Sequence, residues 1–239
     1  MPKNELEQNK ADLLTSTAKS VLGIVPFAGP LLSELVGNLI PNQRVDRLSK
    51  YVIELEKKLS DLTDERIREL LRDEECIDFF EEGFVQASRV LTNERRTQIA
   101  SVIRNGLDDD SIVYSESKYI LKLLQELNDQ EVIWLRFYLN PTIGGDEEFR
   151  NRHKNILDPV PAYLSSDESI IEKAALQGSY QEHLERLGLI RPHYRIDRDT
   201  GMPEFDKFSG KPSVAYRDLT SLGRLLLKQI GLLENEENG

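Results

Sequence analysis

Residues 184–190 read "LERLGLI", and residues 216–232 read "YRDLTSLGRLLLKQIGL". The first stretch is the end of a helix. Gly188 stands just past Leu187, where a helix C-terminus favours glycine, and it frees Leu189 and Ile190 to drop into a core. Between the two stretches runs "RPHYRIDRDTGMPEFDKFSGKPSVAYRDLT", residues 191–220. Its Tyr, Ile and Val positions alternate, and Asp-Thr-Gly and Ser-Gly mark turns, so a long two-stranded hairpin is predicted. Thr220 then caps a last helix over 221–233, with Leu219, Leu222, Leu225 and Leu226 packing back. Two helices, an apolar strand, a long wing and a closing helix form a small winged-helix-like α+β domain.

Working back toward the N-terminus, Ser165 and Glu168 have capping-box spacing and open a helix that runs to Leu187. Residues 140–166 carry Gly and Pro with little periodicity and read as a long loop. Asn128 and Glu131 repeat the capping-box spacing before "QEVIWLRFYL", residues 130–139. Helices are expected over 112–127, over 94–106 with Thr92 or Asn93 as cap and Gly106 at the end, and over 74–91. Ile77, Phe80, Phe84 and Val85 are expected on the inner side of that last one. Thr63 caps a short helix over 64–71. In residues 42–59, Val45, Leu48, Val52, Leu55 and Leu59 alternate steps of three and four. That seam covers about two heptads, fewer than a true coiled coil needs, so a helix in a bundle is favoured over self-association through it. The expected organisation is mainly α. Residues 1–127 form a multi-helix bundle with an apolar hairpin, 128–233 form the winged-helix-like domain, and 234–239 are a disordered tail.

The apolar hairpin is "STAKSVLGIVPFAGPLLSELVGNLIPNQR", residues 16–44. Helices over 5–23 and 31–40 flank a break at Pro26, Gly29 and Pro30. The segment formed by Val25, Pro26, Phe27, Ala28, Gly29, Pro30, Leu31 and Leu32 has three readings: a buried hairpin in the bundle core, a segment that enters a membrane, or a docking surface for a protein partner. Each arm has about a dozen residues, near 18 Å of helix. That is short of the roughly 30 Å of hydrocarbon in a bilayer. Spanning would therefore draw Lys19 or Glu34 into lipid at a cost of a few kcal/mol.

With 31 basic and 42 acidic residues the net charge is −11. Broad, nonspecific nucleic-acid binding needs many cations facing phosphates, so this balance argues against it. A local patch remains: Arg191, Arg195, Arg198, Lys207, Lys211 and Arg217 on the wing form a candidate nucleic-acid surface. Asp197, Asp199, Glu204 and Asp206 interleave with them. The helix before the wing, the one that would enter a DNA groove, carries Glu172, Glu182 and Glu185 against Lys173 and Arg186. A protein-interaction wing is favoured over a DNA reader. The single cysteine, Cys76, allows no intrachain disulfide and fits a reducing cytoplasm. The start, "MPKNELEQNK", is too acidic and polar for a secretory signal.

Nothing in the chain has the spacing of a catalytic or cofactor site. His153, His183 and His193 sit in no metal-ligand pattern. Six residues separate Arg186 from His193, within the spacing of ribonucleases of the HEPN class, but Gly188 and Pro192 intervene and keep the pair off one helix. Glu74, Glu75 and Asp78 beside Cys76 would raise its thiol pKa, which disfavours a nucleophile. "DDD" at 108–110 reads as a solvated turn, Gly144-Gly145 as another, and Trp134 with Tyr138 as core packing. No catalytic residue, cofactor site or metal site is expected.

Two features together carry a family resemblance: "GIVPFAGPLLSELVGNLIPNQRVDRL", an apolar hairpin followed by an Arg-rich amphipathic helix, and "LERLGLI … YRDLTSLGRLLLKQIGL". Their order resembles that of the Abi-alpha group of bacterial abortive-infection proteins, with a further likeness to membrane-active helical bundles of bacterial immunity. The matching motifs touch about a third of the chain. The resemblance implies a non-enzymatic role in defence against phage. Such a protein would be cytoplasmic, associate with the membrane on activation, and work through a protein partner or homo-oligomer. A winged-helix DNA-binding regulator is the alternative.

Overall fold

The computed structural model describes residues 42–233 apart from 71, 109–112, 143, 164 and 207–209. The helices expected over 5–23 and 31–40, the Val25–Leu32 hairpin, Lys207, Asp109, Asp110 and the tail over 234–239 lie outside the described residues. Those described are mainly helical, with ten helices and one small two-stranded sheet. The chain divides into two compact units. Among the described residues the first comprises 42–125 with 229–231, and the second 126–228 with 232–233.

In the first unit, α1 (Asn42–Leu59), α2 (Asp64–Leu70), α3 (Glu74–Arg89), α4 (Asn93–Asp108) and α5 (Tyr114–Glu126) follow one another. Val45 lies outside the described side chains; the rest of the α1 seam is buried against α3 and α4 of the same chain. Leu48, Val52, Leu55 and Leu59 are all at most 3% exposed. Each such side chain contributes about 1.5–3 kcal/mol on burial. Tyr51 joins them and meets Phe84 edge-on, with ring centroids 5.4 Å apart.

The helix caps are local. The Thr63 hydroxyl accepts from the Arg66 N–H at 3.3 Å, as its position predicts. Thr92 rather than Asn93 is the cap of α4, accepting from the Arg95 N–H at 3.3 Å. Two expectations need correction. The inner face of α3 is Cys76, Phe79, Phe80, Gly83, Phe84 and Ala87, with Ile77 and Val85 only half-buried. Phe79 is the buried aromatic that replaces Ile77 there. Gly106 does not end α4, which runs on to Asp108. A Cβ on Gly106 would lie 2.8 Å from both the Phe79 ring and the Ser117 hydroxyl, so it is close packing that calls for glycine.

In the second unit the capping box of α6 (Asp129–Phe137) forms with both arms: Asn128 accepts from the Glu131 N–H at 2.9 Å, and Glu131 accepts from the Asn128 N–H at 2.8 Å. Trp134 and Tyr138 are buried, as expected for core packing. The stretch read as a long loop contains two short helices, α7 (Glu147–Arg152) and α8 (Lys154–Leu157). Asp146 is the reason for the first. It caps the Phe149 N–H at 3.0 Å and pairs with Arg136 at 2.9 Å. The capping box expected at Ser165 and Glu168 is absent: α9 (Glu168–Arg186) starts from Asp167 with no side-chain cap.

After α9 come β1 (Ile190–Tyr194), β2 (Val214–Leu219) and α10 (Ser221–Gln229). Gly188 ends the α9 segment at φ 71°, and the Leu189 N–H reaches back to the Leu184 carbonyl at 3.0 Å. A side chain with a Cβ is strained at that angle. Leu189 and Ile190 are buried, as the sequence predicts. On the return, Thr220 caps α10 by accepting from the Gly223 N–H at 3.0 Å. Leu226 and Leu227 are the buried leucines of α10, whereas Leu219, Leu222 and Leu225 are half-buried.

Candidate interaction surface

β1 and β2 pair antiparallel, Ile190 with Leu219 through His193 with Tyr216, and the register shifts between His193 and Tyr194. The outer end is not the plain two-stranded hairpin that the alternation predicts. The Arg195 N–H donates to the Ser213 carbonyl at 2.8 Å, the Glu204 N–H to the Arg195 carbonyl at 2.9 Å, and the Ser213 N–H to the Glu204 carbonyl at 2.7 Å. Glu204 thus sits between the two strands, and the chain branches into two small arms. Ile196 bridges Pro203 in one and Phe205 bridges Pro212 in the other. The Asp-Thr-Gly signal closes the first arm. In the first, the Asp197 carboxylate accepts from the N–H groups of Asp199 and Thr200 at 2.9 and 2.8 Å. These bonds, with the Thr200 hydroxyl, hold Asp197 below the usual carboxylate range.

The wing cations divide into two groups. Arg191 forks onto Asp218, with Nη2 at 2.9 Å and Nε at 3.3 Å. Arg217 pairs with Glu185 of α9 at 2.5 Å, and Lys211 pairs with Glu182 of α9 at 2.6 Å. Arg195 and Arg198 are exposed and have no ion pair among the described residues. Asp218 also lies 3.1 Å from Nε2 of His193, whose ring stacks on Tyr216 with centroids 4.3 Å apart. The Arg191 guanidinium, helped by His193, holds the Asp218 carboxyl below its ordinary pKa, and Asp218 in turn raises that of Arg191. Half of the predicted basic patch is therefore neutralised by carboxylates of the same chain.

Apolar side chains stand in water around it. Tyr194, Ile196, Met202, Phe205 and Tyr216 on the wing are exposed, and so are Ile170, Ile171 and Leu176 on α9. Only Leu184 of α9 is buried. Sequence reading passed over the three α9 residues because 170, 171 and 176 do not share one helical face. The signal they do give is negative: the helix lacks the continuous apolar stripe that a core-facing helix carries.

What holds the exposed half of α9 is polar. The Gln177 amide accepts from the Val160 N–H at 3.1 Å and donates to the carbonyls of Ile156 at 3.0 Å and Asp158 at 2.9 Å. Near the other end, His183 Nδ1 lies 2.7 Å from the buried Glu131 carboxylate. The Gln177 bonds fix an extended stretch, 158–160, against the helix.

Arg186 and His193, the pair with ribonuclease-like spacing, stand on different elements, the last turn of α9 and β1, as Gly188 and Pro192 require. His153 packs on Phe149, with rings 4.6 Å apart, and burial lowers its pKa. Among the described residues no group of three His, Cys, Asp or Glu side chains could hold a metal ion. Cys76 is buried and its thiol is pushed up to about 11, the direction expected from its acidic neighbours. The main cause is burial, however. Asp73 is the acid that adds to it, and a hydrogen bond with Tyr114 opposes it. Among the described residues no helix is long and apolar enough to cross a membrane.

Comparison with family models, with curated proteins and with solved structures finds no match to this chain.

Proposed function

We propose that this chain is a non-enzymatic interaction or effector protein of bacterial defence, of the abortive-infection kind. Its helix–hairpin–helix, α9 to α10, is a winged helix used for protein contact, and its first unit is a helical bundle. The apolar stretch around Val25 to Leu32 acts on a membrane or on a partner when uncovered. The observation that carries the reading is electrostatic: Arg191, Lys211 and Arg217 are already paired with Asp218, Glu182 and Glu185. Cations engaged with their own chain release few counterions when they meet phosphates. Exposed Tyr194, Ile196 and Phe205 beside them suit a protein surface better.

Dye release from liposomes tests the effector action. The activated wild-type chain is expected to release dye. Phe27→Asp and Leu32→Asp are expected to lower release by about tenfold or more, because each places a charge in lipid. Unchanged release in both variants removes the membrane mechanism.

A second reading, a DNA-binding regulator, rests on Arg195 and Arg198, which are exposed and unpaired among the described residues. A gel-shift titration across salt separates the two. Steep weakening with salt, sharpened by Arg195→Glu and Arg198→Glu, would favour the regulator.

A further inference from the structure

α8, the extended stretch after it and the first turns of α9 enclose an open cleft of about 660 Å³. That lies within the range of small-ligand sites, about 300–1,000 Å³. Its apolar wall is Pro159, Val160 and Pro161, faced by Ile170 of α9. The wall is fixed rather than draped, since Gln177 holds the backbone at 156, 158 and 160 with three hydrogen bonds. Two prolines add stiffness by restricting their own φ angles. The site therefore exists before any ligand arrives, which spares a ligand the cost of ordering it.

The charge of the rim is opposite to that of the chain. Lys154 and Lys173 line the cleft from its two sides, and Asn155 adds an amide. Lys173 has no ion pair among the described residues, and Lys154 reaches Asp158 only at 4.0 Å. Asp158 is the one acid in the lining, so two cations face one carboxylate in a protein of net charge −11. A fixed apolar wall with ammonium groups at its edge matches one class of molecule: a small amphipathic anion, with its apolar body against Pro159–Pro161 and Ile170 and its anionic end between the lysines. We infer that this cleft binds small organic anions of that kind. The inference stands apart from the defence role, because it uses none of the wing or hairpin residues.

The test uses the full chain and 2-naphthoate, with neutral 2-naphthamide and cationic 2-naphthylmethylammonium as matched probes. Titration calorimetry gives the affinities, and amide shifts in a ¹⁵N spectrum give the location. Saturable binding of 2-naphthoate is expected, with shifts centred on 154–161 and 170–173. The neutral probe should bind about fivefold more weakly and the cationic probe more weakly still, on the scale of exposed ion pairs. Lys154→Glu combined with Lys173→Glu should weaken 2-naphthoate about tenfold or more, whereas Lys173→Arg should stay within about twofold. Equal affinity for the three probes, shifts confined to other residues, or an absence of saturable binding would each overturn the assignment. The location of the wild-type shifts does not depend on any variant folding.

Discussion

α1 and α9 are nearly the same length, 18 and 19 residues, and they are held by different forces. α1 turns Leu48, Tyr51, Val52, Leu55 and Leu59 inward, and α3 and α4 close over them. α9 buries Leu184 alone and is pinned by Gln177, by His183 against Glu131, and by Glu185 and Glu182 to the wing. An apolar face is held by the close fit of its side chains among those of its neighbours, which cover it. A set of hydrogen bonds and ion pairs fixes direction but leaves the remaining faces free. A helix built the second way can present side chains to another molecule without giving up its own position, and Ile170, Ile171 and Leu176 are presented in that way.

The chain has its own reporters for each side of this contrast, since Cys76 lies in the first unit and the single tryptophan, Trp134, in the second. The largest effect is expected from Phe79→Ala. It empties a fully buried site and should cost the first unit about 3–5 kcal/mol, read as a lower denaturant midpoint for labelling of Cys76. A loss below about 1 kcal/mol would mean that this core is not closely packed, and the contrast would fail. Gln177→Ala should cost the second unit about 1–3 kcal/mol, because it strands the Val160 N–H and two carbonyls. Faster hydrogen exchange at the Val160 amide is the direct measurement, and unchanged exchange would show that the clamp is ornamental.

The Cys76 thiol sharpens the picture through pH. Its folded pKa, about 11, lies above the ordinary 9.0, so the fold favours the neutral thiol. The stability it contributes is complete below about pH 9 and is lost as pH rises through about 11. At pH 8 the folded thiol should react with a disulfide reagent about a hundredfold more slowly than in denaturant, from the loss of thiolate alone. Equal rates would place Cys76 outside the core. The smallest effect is expected from Leu176→Ser, which should shift the unfolding midpoint of Trp134 fluorescence by no more than about 0.5 kcal/mol in stability. A loss several times larger would mean that α9 does rely on apolar packing.

Much of the fold was legible wherever a short-range rule decides the outcome. The Asn128–Glu131 box, Thr63, Gly188 and the α1 seam all act within a turn or two, so residue type and spacing are sufficient. Most failures come where distant residues compete, and one, at Ser165, where a close neighbour does. Ile77 and Phe79 are both apolar and differ by two positions. The buried one is decided by α4, where Gly106 leaves room for the Phe79 ring. α7 is six residues long with no apolar repeat to mark it, and Asp146, its cap, is also held by Arg136 ten positions away. Ser165 had the right spacing for a cap and lost the position to Asp167, while its neighbour Ser166 bonds the Tyr163 N–H instead. The wing cations were legible as residues and illegible as a surface, because their pairing with Glu182 and Glu185 comes from a fold, not from spacing. The cleft at Pro159–Pro161 is illegible in the sequence for the same reason, since Gln177 reaches it from 17 to 21 positions away.

The branched wing end has a practical consequence. Each arm closes on itself, through Ile196 and Pro203 or through Phe205 and Pro212, and the Arg195–Glu204–Ser213 ring joins them to the strands. The base is the opposite. There a Cβ on Gly223 would fall 2.2 Å from the Leu189 carbonyl oxygen. Foreign loops could therefore be grafted in place of the first arm, or its length varied, whereas the second keeps Lys211 on Glu182 and the joint beneath accepts almost no alteration. The molecule carries an exchangeable tip on a fixed mount, a ready scaffold for displaying short peptides.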